Sequence, residues 1–494
     1  MTILASKMDI RNNIEYDAVV IGAGPNGLAA AILLQQHGLD VLVLEAKSTI
    51  GGGMRSAELT IPGYIHDVCS AVHPMAAASP FLSKLPLNEY GLNYINPTIL
   101  AAHPFDDGTA AALYSGLDET AVAFGADRQS YLDLFKPLIE KWPNMVDDLL
   151  GPFQFPKDPL AFARFGLSAI LPARILARKF KTEHLRGLWS GMAAHSMLPF
   201  SKLTTSAIAM VLTINAHLKG WPIVKGGTQM LADAMANYFC SLGGEIETNT
   251  IISSLSQLPK TKVVLFDTSP KQLLQIAGHT FSTIYKEQLR RYRYGMGLFK
   301  VDWALDGPVP FTAAQCREAG TIHIGNTFEE VAFSEQQISK GIHPERPFVL
   351  LTQQSLFDSE RAPIGKQVLW GYCHVPNGST KDMTAIIENQ VERFAPGFRE
   401  RILARHTTDT EALENYNLNY HGGDVNGGAL DLRQLFTRPA LRFSPYRTSA
   451  RGLYICSAST PPGGGVHGMA GYHAAKRALL DIFKINIDKS KKNF

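Results

Sequence analysis

Two kinds of residue in this chain could do chemistry, and they differ in spacing. The first is a tight set: Gly22-Ala23-Gly24-Pro25-Asn26-Gly27 follows the apolar run Ala18-Val19-Val20-Ile21, and Val41-Leu42-Val43-Leu44 ends on Glu45. Gly22 permits a sharp turn, Gly24 lets backbone approach a pyrophosphate, and Gly27 lets a helix lie close on a strand. A helix opening at this point would aim its amides, with about half a positive charge, at phosphate oxygens. Glu45 can accept from both hydroxyls of an adenosine ribose and would repel a 2′-phosphate, which disfavours NADP. The second kind is scattered: His66, Asp67, His73, His195, Lys300 and Asp424. Imidazole can take or give a proton near neutral pH, but these residues form no GxSxG, HExxH or triad spacing and no metal-ligand spacing.

The elements that must position the first set are a strand over 16–21, a helix over 28–37 and a strand over 41–45, which together make a βαβ unit. Three further blocks lie downstream. Gly51-Gly52-Gly53-Met54-Arg55-Ser56 comes directly after the acidic strand end. Trp221-Pro222-Ile223-Val224-Lys225-Gly226-Gly227-Thr228 precedes a helix, and Gly243-Gly244-Glu245-Ile246 leads on to Ile251-Ile252. Ser457-Ala458-Ser459-Thr460-Pro461-Pro462-Gly463-Gly464-Gly465-Val466-His467-Gly468-Met469 follows the short apolar run Leu453-Tyr454-Ile455.

In these blocks the chain resembles the phytoene desaturase-like (phytoene dehydrogenase-related) FAD-dependent oxidoreductases, within the wider flavin amine oxidase and glutathione-reductase-like superfamily. The resemblance covers most of the chain in three separated pieces. It implies an α/β protein with a Rossmann-like FAD-binding domain assembled from 15–80, 219–282 and 446–494. A mixed α+β substrate domain from 81–218 and 283–445 completes it, with flexible termini at 1–14 and 488–494. The cofactor implied is FAD, contacted by Gly22, Gly24, Pro25, Asn26, Gly27 and Glu45, then by Gly52, Gly53, Arg55 and Ser56. Ile252, with Ile251 as the alternative, would meet the adenine through its backbone. Ser457, Gly464, Gly465, Val466, His467, Gly468 and Met469 would face the flavin, His467 through its backbone. Relatives usually carry Arg directly after the glycine pair; position 53 is Gly here, and Arg55 would assume part of that role.

The resemblance also gives the scattered residues roles. Lys300, in Gly297-Leu298-Phe299-Lys300-Val301-Asp302, matches the strand that in flavin amine oxidases carries a lysine near flavin N5, where a cation favours reaction with oxygen. His66 and His73 fall where relatives pass close to the isoalloxazine. Asp424, in His421-Gly422-Gly423-Asp424-Val425-Asn426, would lie at the substrate end of the flavin or else satisfy a glycine turn. The expected chemistry is removal of a hydride from an apolar or amphipathic small molecule, with oxygen or a quinone as acceptor. A redox-neutral, flavin-dependent isomerase is the alternative enzyme. An FAD-containing protein that mainly binds another protein or a membrane is the alternative outside catalysis.

Composition sets the remaining bounds. With 494 residues, 45% hydrophobic and 18% charged, the chain can bury two domain cores. A net charge of +3 with no basic face interleaved with aromatics argues against nucleic acid. Cys69, Cys240, Cys316, Cys373 and Cys456 show no CxxC pair and read as thiols of a reducing, cytoplasmic compartment. No metal is expected, and a homodimer is compatible with the sequence. No stretch reaches the roughly 18 apolar residues of a membrane span. The run 159–171, followed by Arg174, Arg178, Lys179 and Lys181, has two readings: a basic amphipathic helix resting on a membrane, or a substrate-domain helix interrupted by Pro172.

Overall fold

The computed structural model describes residues 15–435 and 437–490. Its first unit is β1 (Glu15–Ile21), α1 (Pro25–Gln35) and β2 (Val41–Leu44). The helix starts three residues before the sequence expectation because Pro25, with φ already fixed, suits the first helical position. The first insert contributes β3 (Ile99–Pro104) and β4 (Ala110–Tyr114), a short helix over Leu117–Ala123, then five more helices: α2 (Arg128–Leu149), α3 (Pro159–Ala169), α4 (Ala173–Ala177), α5 (Glu183–Ala194) and α6 (Thr205–Lys219). The chain returns through α7 (Gln229–Ser241), β5 (Glu245–Glu247) and β6 (Lys260–Phe266). It leaves again for β7 (Gly297–Leu305), β8 (Ala319–Ile324), β9 (Val349–Thr352), β10 (Gln367–Val375) and β11 (Ile402–Thr408). It closes with β12 (Leu453–Ile455) and α8 (Met469–Ala478).

Two sheets result. The five-stranded one has the order β12-β6-β1-β2-β5 and is parallel throughout. Its central strands are near-continuous aliphatic runs because both faces are covered. On one side α1, α7 and α8 share a core with Leu28, Leu231, Met235 and Ala475; on the other, Leu273 and Tyr285 pack on Val19 and Phe266. Helix α8 crosses α1 so closely that a Cβ at Gly471 would lie 1.8 Å from the Asn26 carbonyl oxygen. The seven-stranded sheet has the order β11-β7-β10-β9-β8-β3-β4 and is antiparallel except where β8 meets β3. Its helical face joins Leu100 and Leu350 to Trp189, Leu185 and Ala209, while Ile387 and Val391 cover the other face.

Residues 487–490 form a helical turn, and Asp488 pairs with Lys476 at 2.6 Å. The termini 1–14 and 491–494 lie outside the described residues. Among the described residues no helix is long and apolar enough to cross a membrane.

Candidate active site

A cavity of about 400 Å³ runs from the turn after β1 into the helical side of the seven-stranded sheet. One end is walled by Gly22, Gly24, Pro25, Asn26, Glu45, Gly52, Gly53 and Arg55, with Ile251 and Ile252 beside them. Ser457, Gly465 and Val466 line its middle. Met75, His195, Leu212, Trp221, Leu350, Trp370 and Tyr372 close the far end.

The first end is built almost wholly by backbone. Gly22 has φ +103°, and a Cβ at Gly27 would sit 2.0 Å from the Gly22 carbonyl oxygen, so no other residue fits at Gly27 without moving the turn. Glu45 Oε2 accepts from the Ala23 amide at 2.9 Å. Its Oε1 accepts from the Lys47 amide at 2.9 Å and from Arg55 Nη2 at 3.2 Å. A carboxylate has about four acceptor positions, so capacity remains for a ribose hydroxyl. Asn26 Oδ1 is buried without a partner, on a side chain that lines the cavity. A cradle that excludes any Cβ, an acid at the strand end and an unpaired amide oxygen all fit a dinucleotide.

Asp267, at the end of β6, is the residue here that sequence reasoning missed. Its Oδ2 accepts the Gly27 amide at 3.0 Å, so its carboxyl sits against the start of α1. Burial pushes it up to about 7, against the pull of the Gly27 amide and with help from the negative Glu45. The available signal was an acid ending a third apolar run, Val263-Val264-Leu265-Phe266-Asp267.

Several expected contacts lie behind the wall rather than on it. Arg55 lines the cavity, but its guanidinium holds the loop: Nε and Nη2 donate to Thr49 O at 3.1 and 2.7 Å, and Nη1 to Gly52 O at 3.3 Å. Ser56 is turned away, donating to Asp67 Oδ1 at 2.7 Å and accepting the Gln229 amide at 3.1 Å. Asp67 is held in turn by Arg361 Nη1 at 2.9 Å, and Arg361 Nε reaches Asp358 at 2.9 Å. Burial would raise the Asp67 carboxyl, but Arg361, the Thr228 amide and Ser56 hold it below the usual carboxylate range. The cluster locks the 56–67 hairpin to 224–228 and 354–361. The His467 ring caps α8, accepting the Met469 amide at 3.0 Å, while its carbonyl accepts from Ser79 at 2.7 Å. Gly464 packs on Asn426 and Gly468 on Ala29, which keeps both, with buried Met469, off the cavity wall.

Two of the scattered candidates reach the wall: His195, at the far end, and His73. His73 Nε2 contacts Thr228 Oγ1 at 3.1 Å, and burial lowers His73 to about 4. His66 is fully buried, with Nε2 on Thr60 at 2.8 Å and Nδ1 3.7 Å from Asp302. Burial lowers it to about 4 despite the Asp302 charge. Lys300 is buried and ion-paired with Asp302, and its Nζ lies 5.7 Å from the centroid of Trp370, which does line the cavity. The expected free cation at the flavin is therefore a neutralised pair. Asp424 accepts the amides of Gly295 at 2.6 Å and Asn426 at 2.8 Å, so it satisfies a turn.

At the far end the polar feature is a histidine pair. His195 follows α5 and lines the cavity. Its Nε2 lies 3.1 Å from Nε2 of His323 on β8. Helix α5 can approach because Gly191 lies against the His323 ring, where a Cβ would come within 2.5 Å. Burial pushes His195 down to about 3, with the His374 charge adding to it, and puts His323 well below the ordinary range. Both rings are neutral at pH 7, one donating and the other accepting. His323 was invisible in the sequence except as a polar residue between the two isoleucines of Ile322-His323-Ile324.

Comparisons with known proteins agree with this geometry. A family model described as an NAD(P)-binding Rossmann-like domain matches residues 20–85. The chain is 26% identical to pyridine nucleotide-disulfide oxidoreductase domain-containing protein 2 of Mus musculus, over 95% of this chain and 94% of that one. It is 26% identical to the neurosporene-forming phytoene desaturase of Rhodobacter capsulatus, over 92% of each. The crystal structure of an oxidoreductase from Methanosarcina mazei superposes with a TM-score of 0.62 at 17% identity, covering 94% of this chain and all of that one. The glycine cradle closed by Glu45, the parallel sheet drawn from three stretches of chain and relatives matched along nearly their whole length fit the phytoene desaturase-like FAD-dependent oxidoreductases.

Proposed function

We propose that the protein oxidises an amphipathic small molecule, mostly apolar with one polar group, by transferring a hydride to FAD. One observation carries this reading: a single cavity joins the dinucleotide cradle to an apolar chamber whose far wall holds His195, backed by His323. Bound FAD would supply the two-electron acceptor. The chain's own residues would do the rest. Leu212, Trp221, Leu350 and Trp370 exclude water and hold a hydrocarbon portion. The histidine pair, neutral at pH 7, offers a hydrogen bond to a hydroxyl, carbonyl or amine at the opposite end. The relative named for desaturating phytoene supports an apolar portion.

The electrons must then leave. Pairing of Lys300 with Asp302 removes the free cation that would favour oxygen, which supports an organic acceptor such as a quinone. Anaerobic photoreduction of the holoprotein, followed by air or a soluble quinone, tests this. Recovery of the flavin band with quinone and slow recovery in air is the expected result. Rapid recovery in air would make oxygen the acceptor. A substrate converted without net bleaching, and only after prior reduction, would replace oxidation with isomerisation. A bound flavin that no apolar or amphipathic compound bleaches would favour the binding-protein alternative.

A further inference from the structure

The helical side of the substrate half turns oily side chains outward. Helix α3 buries Ala161, Phe165 and Ala169, an i, i+4, i+8 stripe, against α2 and α6. The opposite stripe of a solvent-facing helix should be polar. Here it carries Leu160, 85% exposed, and Leu167, 75% exposed, with exposed Arg164 between them. The loop leading into α3 adds Phe153 and Phe155, 83% and 86% exposed. At the other end, the Thr204 amide donates to Ile170 O at 3.0 Å, which brings exposed Leu203 beside exposed Ile170.

The charge around this patch is one-sided. From 159 to 182 there is no Asp or Glu, and Arg164, Arg174, Arg178, Lys179 and Lys181 are all exposed. Among the described residues none of these five has a carboxylate partner. Single exposed leucines are ordinary, but six large apolar side chains on about fifty residues of one face are not. Apolar side chains bordered by unpaired cations match a surface with hydrocarbon beneath and phosphate around it.

We propose that this face, formed by the 153–160 loop, α3, α4 and the 200–204 turn, docks on the headgroup layer of an anionic lipid bilayer. Phe155, Leu160 and Leu167 enter the acyl boundary, and the arginines and lysines meet lipid phosphates. The placement has a use. Helix α6 packs on the inner side of α3 and contributes Leu212 to the cavity wall, so one helix layer separates the docked face from the apolar chamber. Docking does not depend on the reaction proposed above, and its test reads binding alone.

The test is co-flotation of the holoprotein with phosphatidylcholine vesicles, with and without phosphatidylglycerol, at low and high salt. Binding to the anionic vesicles that weakens with salt is expected. Leu160→Glu/Leu167→Glu should lower partitioning at least about tenfold, since each leucine contributes burial of several methylene groups. Arg174→Gln/Arg178→Gln should lower it by roughly fivefold per residue, for anionic vesicles only. Flavin content and thermal midpoint should not move, because all four side chains are exposed. No binding to anionic vesicles at low salt would overturn the proposal, as would equal binding to neutral ones or binding that the leucine variant retains. A lipid-free dimer that Leu160→Glu/Leu167→Glu dissolves would also overturn it, assigning the face to a second copy of the chain.

Discussion

At the Glu45 end of the cavity the wall is backbone: glycines at 22, 24, 52 and 53, the start of α1, and a carboxylate whose oxygens are held by the Ala23 and Lys47 amides. At the His195 end it is side chain: Leu212 from α6, Trp221 from the segment after it, Leu350 from β9 and Trp370 and Tyr372 from β10, with His195 backed by His323. The difference teaches where sequence constrains structure. A backbone wall tolerates one residue type per position, because a Cβ either clashes or does not. A side-chain wall can be repacked by many combinations of similar volume. Substitutions at the two ends should therefore fail differently.

The largest expected effect is at the backbone end. Gly27→Ala places a Cβ 2.0 Å from the Gly22 carbonyl oxygen and forces the turn away from the first amides of α1. Purified Gly27→Ala protein should carry essentially no flavin, read as the ratio of flavin to protein absorbance. Full flavin content would mean that the turn can relax and that the cradle is not what holds the cofactor.

Next comes the buried pair just behind the side-chain end. Lys300→Met leaves Asp302 buried and unpaired beside His66, at a cost of about 3–5 kcal/mol. Lys300→Met/Asp302→Asn should recover most of that in urea unfolding. If Lys300→Met leaves the urea midpoint unchanged but slows flavin reoxidation in air, the lysine acts on oxygen and the pairing is incidental.

The same contrast governs what the sequence disclosed. The glycine spacing and Glu45 could be read because each demand is local and falls on one residue type. The parallel strands could be read because burial on both faces leaves an unbroken aliphatic run. Ser56 and Asp424 looked like ligands because serine and aspartate satisfy turns and partners as readily as cofactors, and their partners, Gln229 and Gly295, lie more than a hundred residues away. Lys300 is the instructive case. Lysine and aspartate two apart on a strand share a face, so Lys300-Val301-Asp302 already implied a pair. The far wall was illegible because Leu212, Leu350 and His195, with His323 behind it, are brought together only by the packing of α5 and α6 on the seven-stranded sheet.

Asp267 gives a graded effect at the backbone end. Its carboxyl titrates at about 7, raised by burial, so it is neutral below that pH and negative above it. An anionic pyrophosphate near the start of α1 is repelled by the ionised form. Affinity of the apoprotein for FAD should therefore fall as pH rises through 7, by up to about tenfold per pH unit if only the protonated form accepts the cofactor. The apoprotein's own stability follows the same sign. The folded state holds a proton that the unfolded chain releases near 4, so this contribution is full below that pH and is lost as pH rises through about 7. Asp267→Asn should flatten both profiles, read by fluorescence titration and urea unfolding. A flat wild-type affinity profile would place the pyrophosphate away from Asp267.

The smallest effect belongs to the far wall and bears directly on the substrate. His195→Leu removes the cavity-side half of the imidazole pair while keeping volume and apolar contact, so flavin content should stay at the wild-type level. His323 keeps a buried Nε2 with no partner, which costs about 1–3 kcal/mol of stability, less than the break at Lys300. For a substrate with a polar terminus, loss of one hydrogen bond should raise KM up to about tenfold with kcat little changed, because the contact forms equally in ground and transition states. For the matching hydrocarbon, KM should fall or stay level, since leucine is the better neighbour for a methyl group. The ratio of the two KM changes is the quantity that decides. Equal changes for both substrates would mean that His195 only fills space, and the far chamber would then be a purely apolar slot suited to a hydrocarbon.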